Sequence, residues 1–110
     1  MPALPRCDAC GQLLRPAVVW FGESLPPAIW DAAERAVGEA DVLLVVGTSA
    51  VVYPAAGLAT HARRLGRSVV EINLDPTPLT DEVDLSLQGA AGSVLPALVV
   101  AVEAVRAGTD

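Results

Sequence analysis

Lysine is absent from this sequence, and its seven cations, Arg6, Arg15, Arg35, Arg63, Arg64, Arg67 and Arg106, are scattered among thirteen acidic residues for a net charge of −6. No basic stripe remains to neutralise consecutive phosphates, so nucleic acid is not an expected partner. Long hydrophobic runs are also missing. The longest apolar stretches, near residues 42–46 and 94–102, are interrupted or far short of the roughly 20 residues that cross a bilayer, so no membrane partner is expected. The N-terminus, Met-Pro-Ala-Leu-Pro-Arg-Cys, has no charged segment leading into an apolar one, and a cytoplasmic location is the expectation. Cysteine is scarce: Cys7 and Cys10 are the only two. In a cytosolic setting a pair at this spacing suits metal ligation or thiol redox chemistry better than a structural disulfide, although one pair is not a whole zinc site. The single histidine, His61, stands among Ala59, Ala62 and Arg63 on an expected helix, which makes it a helix-surface residue rather than a catalytic base.

What is present is apolar: 53% of the 110 residues, with 18% charged, which places the chain among globular domains. A domain this small buries only about two thirds of its unfolded surface, so a missing part of its sheet would be felt strongly. Residues 17–21 form a β-prone run ended by Gly22, and Pro26-Pro27 opens a segment with helical apolar spacing to about Gly38. Residues 42–46 read as a strand buried on both faces. A helix from Pro54 through Leu65, with Gly66 at its end, leads to a second buried strand over 68–73. Strand, helix and strand make a βαβ unit with parallel strands. Residues 84–87 are a third short strand, and Ser93 caps a last helix, with Pro96 in its first turn, that ends near Gly108. The fold class is α/β, with ligands expected where strands end and helices begin.

Three loops at such positions are candidates for chemistry. The first strand delivers Gly47, Thr48 and Ser49 to the mouth of the sheet: a glycine that lets a ligand approach backbone, then two hydroxyls suited to ribose or phosphate oxygens, with a following helix N-terminus to favour negative charge. The same residues suit a turn with a helix cap, and they do not form a GxGxxG fingerprint. The second strand ends Asn73-Leu74-Asp75, an amide and a carboxylate placed to meet ribose hydroxyls, or an Asx turn into Pro76. Gly89-Ala90-Ala91-Gly92 is a small-residue loop that lets a flat ring lie against backbone, or an ordinary connection.

Taken together, Cys7-Asp8-Ala9-Cys10-Gly11, Leu14-Arg15-Pro16, Val18-Val19-Trp20-Phe21-Gly22-Glu23, Gly47-Thr48-Ser49, Tyr53-Pro54-Ala55 and Ile72-Asn73 occur in the order found in sirtuins. From Cys7 to about Leu98 the chain resembles the C-terminal part of that family of NAD-dependent protein deacylases, with the bacterial and desuccinylase-type branch as the nearest in pattern. The resemblance implies a partial Rossmann-like parallel sheet flanked by helices, divided into a partial zinc-binding segment over 1–16 and the C-terminal part of an NAD-binding domain over 17–110. It implies that Gly47, Thr48 and Ser49 line the adenosine and phosphate portion of NAD. Asn73, Leu74 and Asp75 would face the adenine ribose, and the backbone of Ala91 would lie beside adenine. Val19, Phe21, Gly22 and Glu23 would pair their main chain with an acyl-lysine protein or peptide, a strand-addition mode with little sequence preference. Cys7 and Cys10 match one of the two Cys pairs of a structural zinc module, which closes with four thiolates.

In sirtuins the acyl oxygen attacks the ribose carbon bearing nicotinamide while a histidine acts as base. The Gly-Ala-Gly loop, Gln-Asn-x-Asp stretch and catalytic histidine of that pattern do not occur in these residues. The expectation is a fragment carrying NAD and peptide contacts, with no catalytic residue of its own and no activity alone. A separately encoded N-terminal half would complete it. The competing readings are a non-catalytic NAD, ADP-ribose or protein-interaction module, and a relic without function. An incomplete sheet also invites self-association.

Overall fold

The computed structural model describes residues 2–108. Helix α1 (Pro27–Glu39) starts on a proline, whose missing N–H is one a first turn does not use. Its inward stripe is Trp30, Ala33 and Val37, at helical spacing. Strand β1 (Val42–Val46) follows, then α2 (Gly57–Arg64), β2 (Ser68–Asn73), β3 (Leu85–Gln88) and α3 (Ala91–Gly108). The three strands lie parallel in the order β1-β2-β3. Val45 stands opposite Glu71, and Ile72 opposite Leu87.

β2 is the central strand, and its burial shows it. Val69 and Ile72 are fully enclosed. The core gathers Val37 of α1, Ala59 and Ala62 of α2, Val69 of β2 and Leu79 of the β2–β3 connection, with Leu43 and Val45 of β1 packed against it. Small residues on α2 let that helix sit close to the sheet. The Arg67 guanidinium donates to the carbonyl of Gly38 at 2.6 Å, tying the end of α1 to the start of β2. At the other edge of β2, the Asp84 carboxylate accepts the N–H of Val69 at 2.7 Å and the Asp84 N–H donates back to its carbonyl.

Three expectations need correction. Residues 17–21 form bends and a turn instead of a strand, with Phe21 92% exposed. They have no partner strand among the described residues, and the segment is shaped by Arg15. β1 is covered on one face only: α2 packs over Leu43 and Val45, whereas α3 packs mainly on β2, so Val42 and Leu44 stay half exposed. Helix α2 begins at Gly57, after separate turns in which Ala56 N–H donates to Val52 and Gly57 N–H to Pro54.

Helix α3 qualifies the reading of the apolar runs. Its 18 residues have a mean hydropathy of 1.5, which by length and composition alone is enough to cross a membrane. It starts at Ala91, two residues before the expected cap at Ser93. Ala91, Val94, Leu95 and Leu98 form its half-buried stripe along the sheet, whereas Val99, Val100, Val102 and Val105 stand exposed. With the open face of β1, this leaves much apolar surface in contact with solvent. The radius of gyration, 18.2 Å, is well above the roughly 13 Å of a compact 100-residue domain.

Candidate functional site

Three strand ends meet at the carboxyl edge of the sheet. The N–H of Gly47 donates to the carbonyl of Ile72 at 2.9 Å, carrying the pairing of β1 and β2 one residue past β1. The side-chain amide of Asn73 donates to the carbonyl of Thr48 at 2.8 Å. The N–H of Gly89 donates to the carbonyl of Asn73 at 2.9 Å. Asn73 therefore stitches the β1 end through its side chain and the β3 end through its backbone. Its amide is aimed across the sheet at Thr48, which distinguishes it from the Asx turn the sequence also allowed.

Gly47 has φ 65°, and a Cβ built there would meet nothing within 4 Å. The backbone is thus open on that side. The Thr48 hydroxyl accepts the N–H of Ala50 at 3.1 Å, turning the chain sharply at Ala50, itself at φ 58°. Ser49, Leu74 and Asp75 are exposed at this edge, and Ala91 begins α3 beside it. Seven residues, 50–56, separate Ser49 from the start of α2 at Gly57, so the helix N-terminus expected at Pro54 stands three residues further from Gly47-Thr48-Ser49. α3, which opens two residues beyond Gly89, is the helix that starts beside a strand end.

Gly89 has a packing role that its sequence context did not reveal. A Cβ there would lie 2.7 Å from Cγ2 of Val94. Gly89→Ala should destabilise the chain by about 1–3 kcal/mol, the usual cost of forcing an extra carbon into a packed contact. A thermal or urea melt checks this, and the companion Gly89→Ala/Val94→Ala should recover part of the loss.

A second subsite lies toward the N-terminus. Val19, Phe21, Gly22 and Glu23 line a groove of about 180 Å³ whose other wall is Val52, Tyr53 and Pro54. Arg15 builds this loop: its guanidinium stacks 4.3 Å above the Trp20 ring, pairs with Glu23 at 2.7 Å and donates to the carbonyl of Val18. The ion pair is exposed and adds little stability; its effect is on loop shape. A cleft of about 320 Å³ lined by Leu44, Thr48, Ala50 and Leu79 runs along β1 and also reaches Val52 and Ala55. Residues 48–55 thus connect the strand-end site to the groove. His61 lies on α2 and lines another groove with Trp30, Glu34 and Arg64, on the far side of Tyr53 and Pro54, which line both.

Cys7 and Cys10 share a tight turn closed by Gly11 N–H to Cys7 O and Cys7 N–H to Gln12 O, both at 2.8 Å. The N–H groups of Cys10 and then Ala9, with the Cys10 thiol, hold the Cys7 thiol below its ordinary range. That favours the thiolate a metal would bind. Two thiols are half of a closed tetrahedral zinc site, and no third His, Cys, Asp or Glu joins them among the described residues.

Comparison with known proteins agrees with this arrangement. Residues 1–54 match the Sir2 family. The chain is 57% identical over 99 residues to NAD-dependent protein deacylase 1 of Archaeoglobus fulgidus, covering 90% of this chain and 40% of that protein. It is 52% identical over 94 residues to the NAD-dependent protein deacylase of Mycobacterium tuberculosis, covering 86% of this chain and 39% of the relative. Among solved structures, a Sir2 homologue in complex with ADP-ribose superposes with a TM-score of 0.87 at 52% identity over 100% of this chain and 44% of its own. A Sir2 homologue in complex with NAD superposes with a TM-score of 0.81 at 56% identity over 93% of this chain and 40% of its own. The chain spans about two fifths of the length of the curated relatives it matches. With sequence and fold in agreement over nearly all its residues, this chain belongs to the Sir2 family.

Proposed function

We propose that this chain forms the adenosine side of the NAD site, and the acyl-lysine peptide groove, of an NAD-dependent protein-lysine deacylase. The observation that carries this reading is the stitched strand edge, in which Asn73 holds Thr48 while Gly47 leaves its backbone face open. The relatives named as NAD-dependent deacylases, and the neighbours bound to NAD or ADP-ribose, support it. When bound, NAD would supply the ribose carbon that the acyl oxygen attacks, with nicotinamide as the leaving group. The residues of this chain bind and orient: Thr48 and Ser49 offer hydroxyls and N–H groups to phosphate or ribose oxygens, Asn73 and Asp75 face ribose hydroxyls, and Ala91 lies against the adenine. The main chain of residues 19–23 pairs with an extended peptide, which the facing wall at Tyr53 and Pro54 confines.

The single histidine of this sequence, His61, faces the groove on α2 and not the strand edge. The 110-residue chain is therefore read as a binding half without turnover of its own. Polypeptide carrying the remainder of a Sir2 fold would cover the open face of β1 and the exposed valines of α3, which makes protein rather than a bilayer the cover of that helix. A second reading, an ADP-ribose-binding module without acyl transfer, is favoured by the position of His61 away from the strand edge.

Calorimetric titration with ADP-ribose tests the binding claim. Asn73→Ala should weaken binding by about tenfold, a loss in the range of one hydrogen bond to a polar ligand together with the Thr48 tether. Unchanged affinity in that variant would remove Asn73 from the site. Cys7 and Cys10, the two cysteines of this sequence, are proposed as two of four zinc thiolates, the other pair coming from other polypeptide. Zinc content by atomic absorption in a Sir2 assembly containing this chain should fall when Cys10 is replaced by Ser, and equal zinc in both would sink that assignment.

A further inference from the structure

Glu71 is the buried ionisable side chain of the described core, 1% exposed on the central strand. No cation pairs with it among the described residues, and a lone carboxylate at such a place is costly unless hydrogen bonds satisfy it. Two hydroxyls do so. Thr77 Oγ1 donates to Oε2 of Glu71, and Thr80 Oγ1 donates to Oε1 at 2.5 Å. Each hydroxyl in turn accepts a backbone N–H of the same turn: Thr77 Oγ1 that of Leu79 at 3.1 Å, Thr80 Oγ1 that of Thr77 at 2.8 Å. A hydroxyl has one proton to give, and here both protons go to an acceptor that can only accept. A carboxylate fits this arrangement, whereas an amide would present a donor to one hydroxyl.

The network has a defined position relative to the nucleotide edge. Glu71 and Asn73 are two apart on β2 and so share a face. Asn73 fixes the start of the β2–β3 connection through Thr48, and Glu71 fixes residues 77–80. Leu74 and Asp75 lie on the short arc between the two anchors. The same turn seats Leu79, 6% exposed, in the core and against the cleft shared with Thr48 and Ala50. Both sides of the strand-end site thus rest on the turn that Glu71 holds.

We propose that Glu71 is a positioning residue of the nucleotide site, acting through Thr77 and Thr80 to hold the arc of Leu74 and Asp75 in its binding conformation. This rests on the reading of the strand edge as an ADP-ribose site. The 110-residue chain is compared with Thr77→Val/Thr80→Val, which removes both donors at nearly constant shape. Thr77→Ser/Thr80→Ser retains both donors, and Val37→Ala weakens the core away from the strand ends. Each is melted thermally and titrated with ADP-ribose below its melting temperature. The valine pair should bind about tenfold more weakly, the cost of leaving the arc to be ordered by the ligand. The serine pair should bind as the parent does, and Val37→Ala should lose thermal stability without losing affinity. A folded valine pair with parental affinity, or an equal loss of affinity in Val37→Ala, would overturn the proposal while leaving the binding site intact. A parent chain that folds and does not bind ADP-ribose would overturn both. If the valine pair loses its cooperative melt, Thr80→Val against Thr80→Ser gives the same comparison with one donor.

Discussion

Gly47→Val removes saturable ADP-ribose binding from a chain that still melts cooperatively. Two effects separate cleanly at this position. Gly47 sits at φ 65°, a conformation that costs an L-residue roughly 1–2 kcal/mol and a β-branched one more. That part is read as a lower melting temperature. The second effect is steric: a Cβ at Gly47 meets no protein atom within 4 Å, so the added side chain projects into the open space in which the proposed nucleotide would lie. Affinity should fall by about 100-fold or more, beyond what the loss of any one hydrogen bond explains. Gly47→Ala shares the backbone strain with a smaller side chain and should fall between the two. Calorimetry on both variants, with melts alongside, checks the order. Parental affinity in the valine variant would mean that the nucleotide does not cross this backbone.

Ile72→Ala should produce the largest loss of stability among single truncations at the strand edge. Ile72 is fully buried on the central strand, opposite Leu87, and its carbonyl accepts the N–H of Gly47. Truncating a buried isoleucine costs about 2–5 kcal/mol, from lost transfer energy and the cavity left behind. Native domains are stable by only about 5–15 kcal/mol, and this one leaves the outer face of β1 and much of α3 uncovered. The expected outcome is a chain unfolded, or close to it, at room temperature by circular dichroism. A cooperative melt within a few degrees of the parent would show that the core is organised around something other than β2.

The elements bracketed by strong local signals were legible in the sequence. Residues 68–73, a β-branched run between a Leu65-Gly66-Arg67 helix end and an Asn-Leu-Asp turn, form β2 with those same bounds. Pro26-Pro27 marked the start of α1, and the parallel α/β class followed from the alternation of runs. The strand expected over residues 17–21 was not there because an apolar run does not say what covers it. Its side chains serve a loop shaped by Arg15, Trp20 and Glu23, whose mutual contacts lie three to eight residues apart and have no periodic signature. Glu71 was visible only as one polar residue in a strand. Its burial depends on Thr77 and Thr80, which the β2–β3 turn brings back beneath it. The packing of Gly89 against Val94 depends on where α3 begins, two residues before the Ser93 cap that the sequence suggested. The candidate site residues themselves were found through family order. The structure adds the stitching by Asn73 that joins three strand ends into one edge.

The central claim is that this edge binds the adenosine half of NAD. A calorimetric titration of the purified 110-residue chain with ADP-ribose, after a circular-dichroism melt has confirmed that it folds, tests it most directly. The expected result is saturable binding at one site per chain, weakened in Asn73→Ala and abolished in Gly47→Val. A chain that melts cooperatively yet gives neither binding heat nor amide chemical-shift changes at Gly47, Asn73 and Ala91 would contradict it.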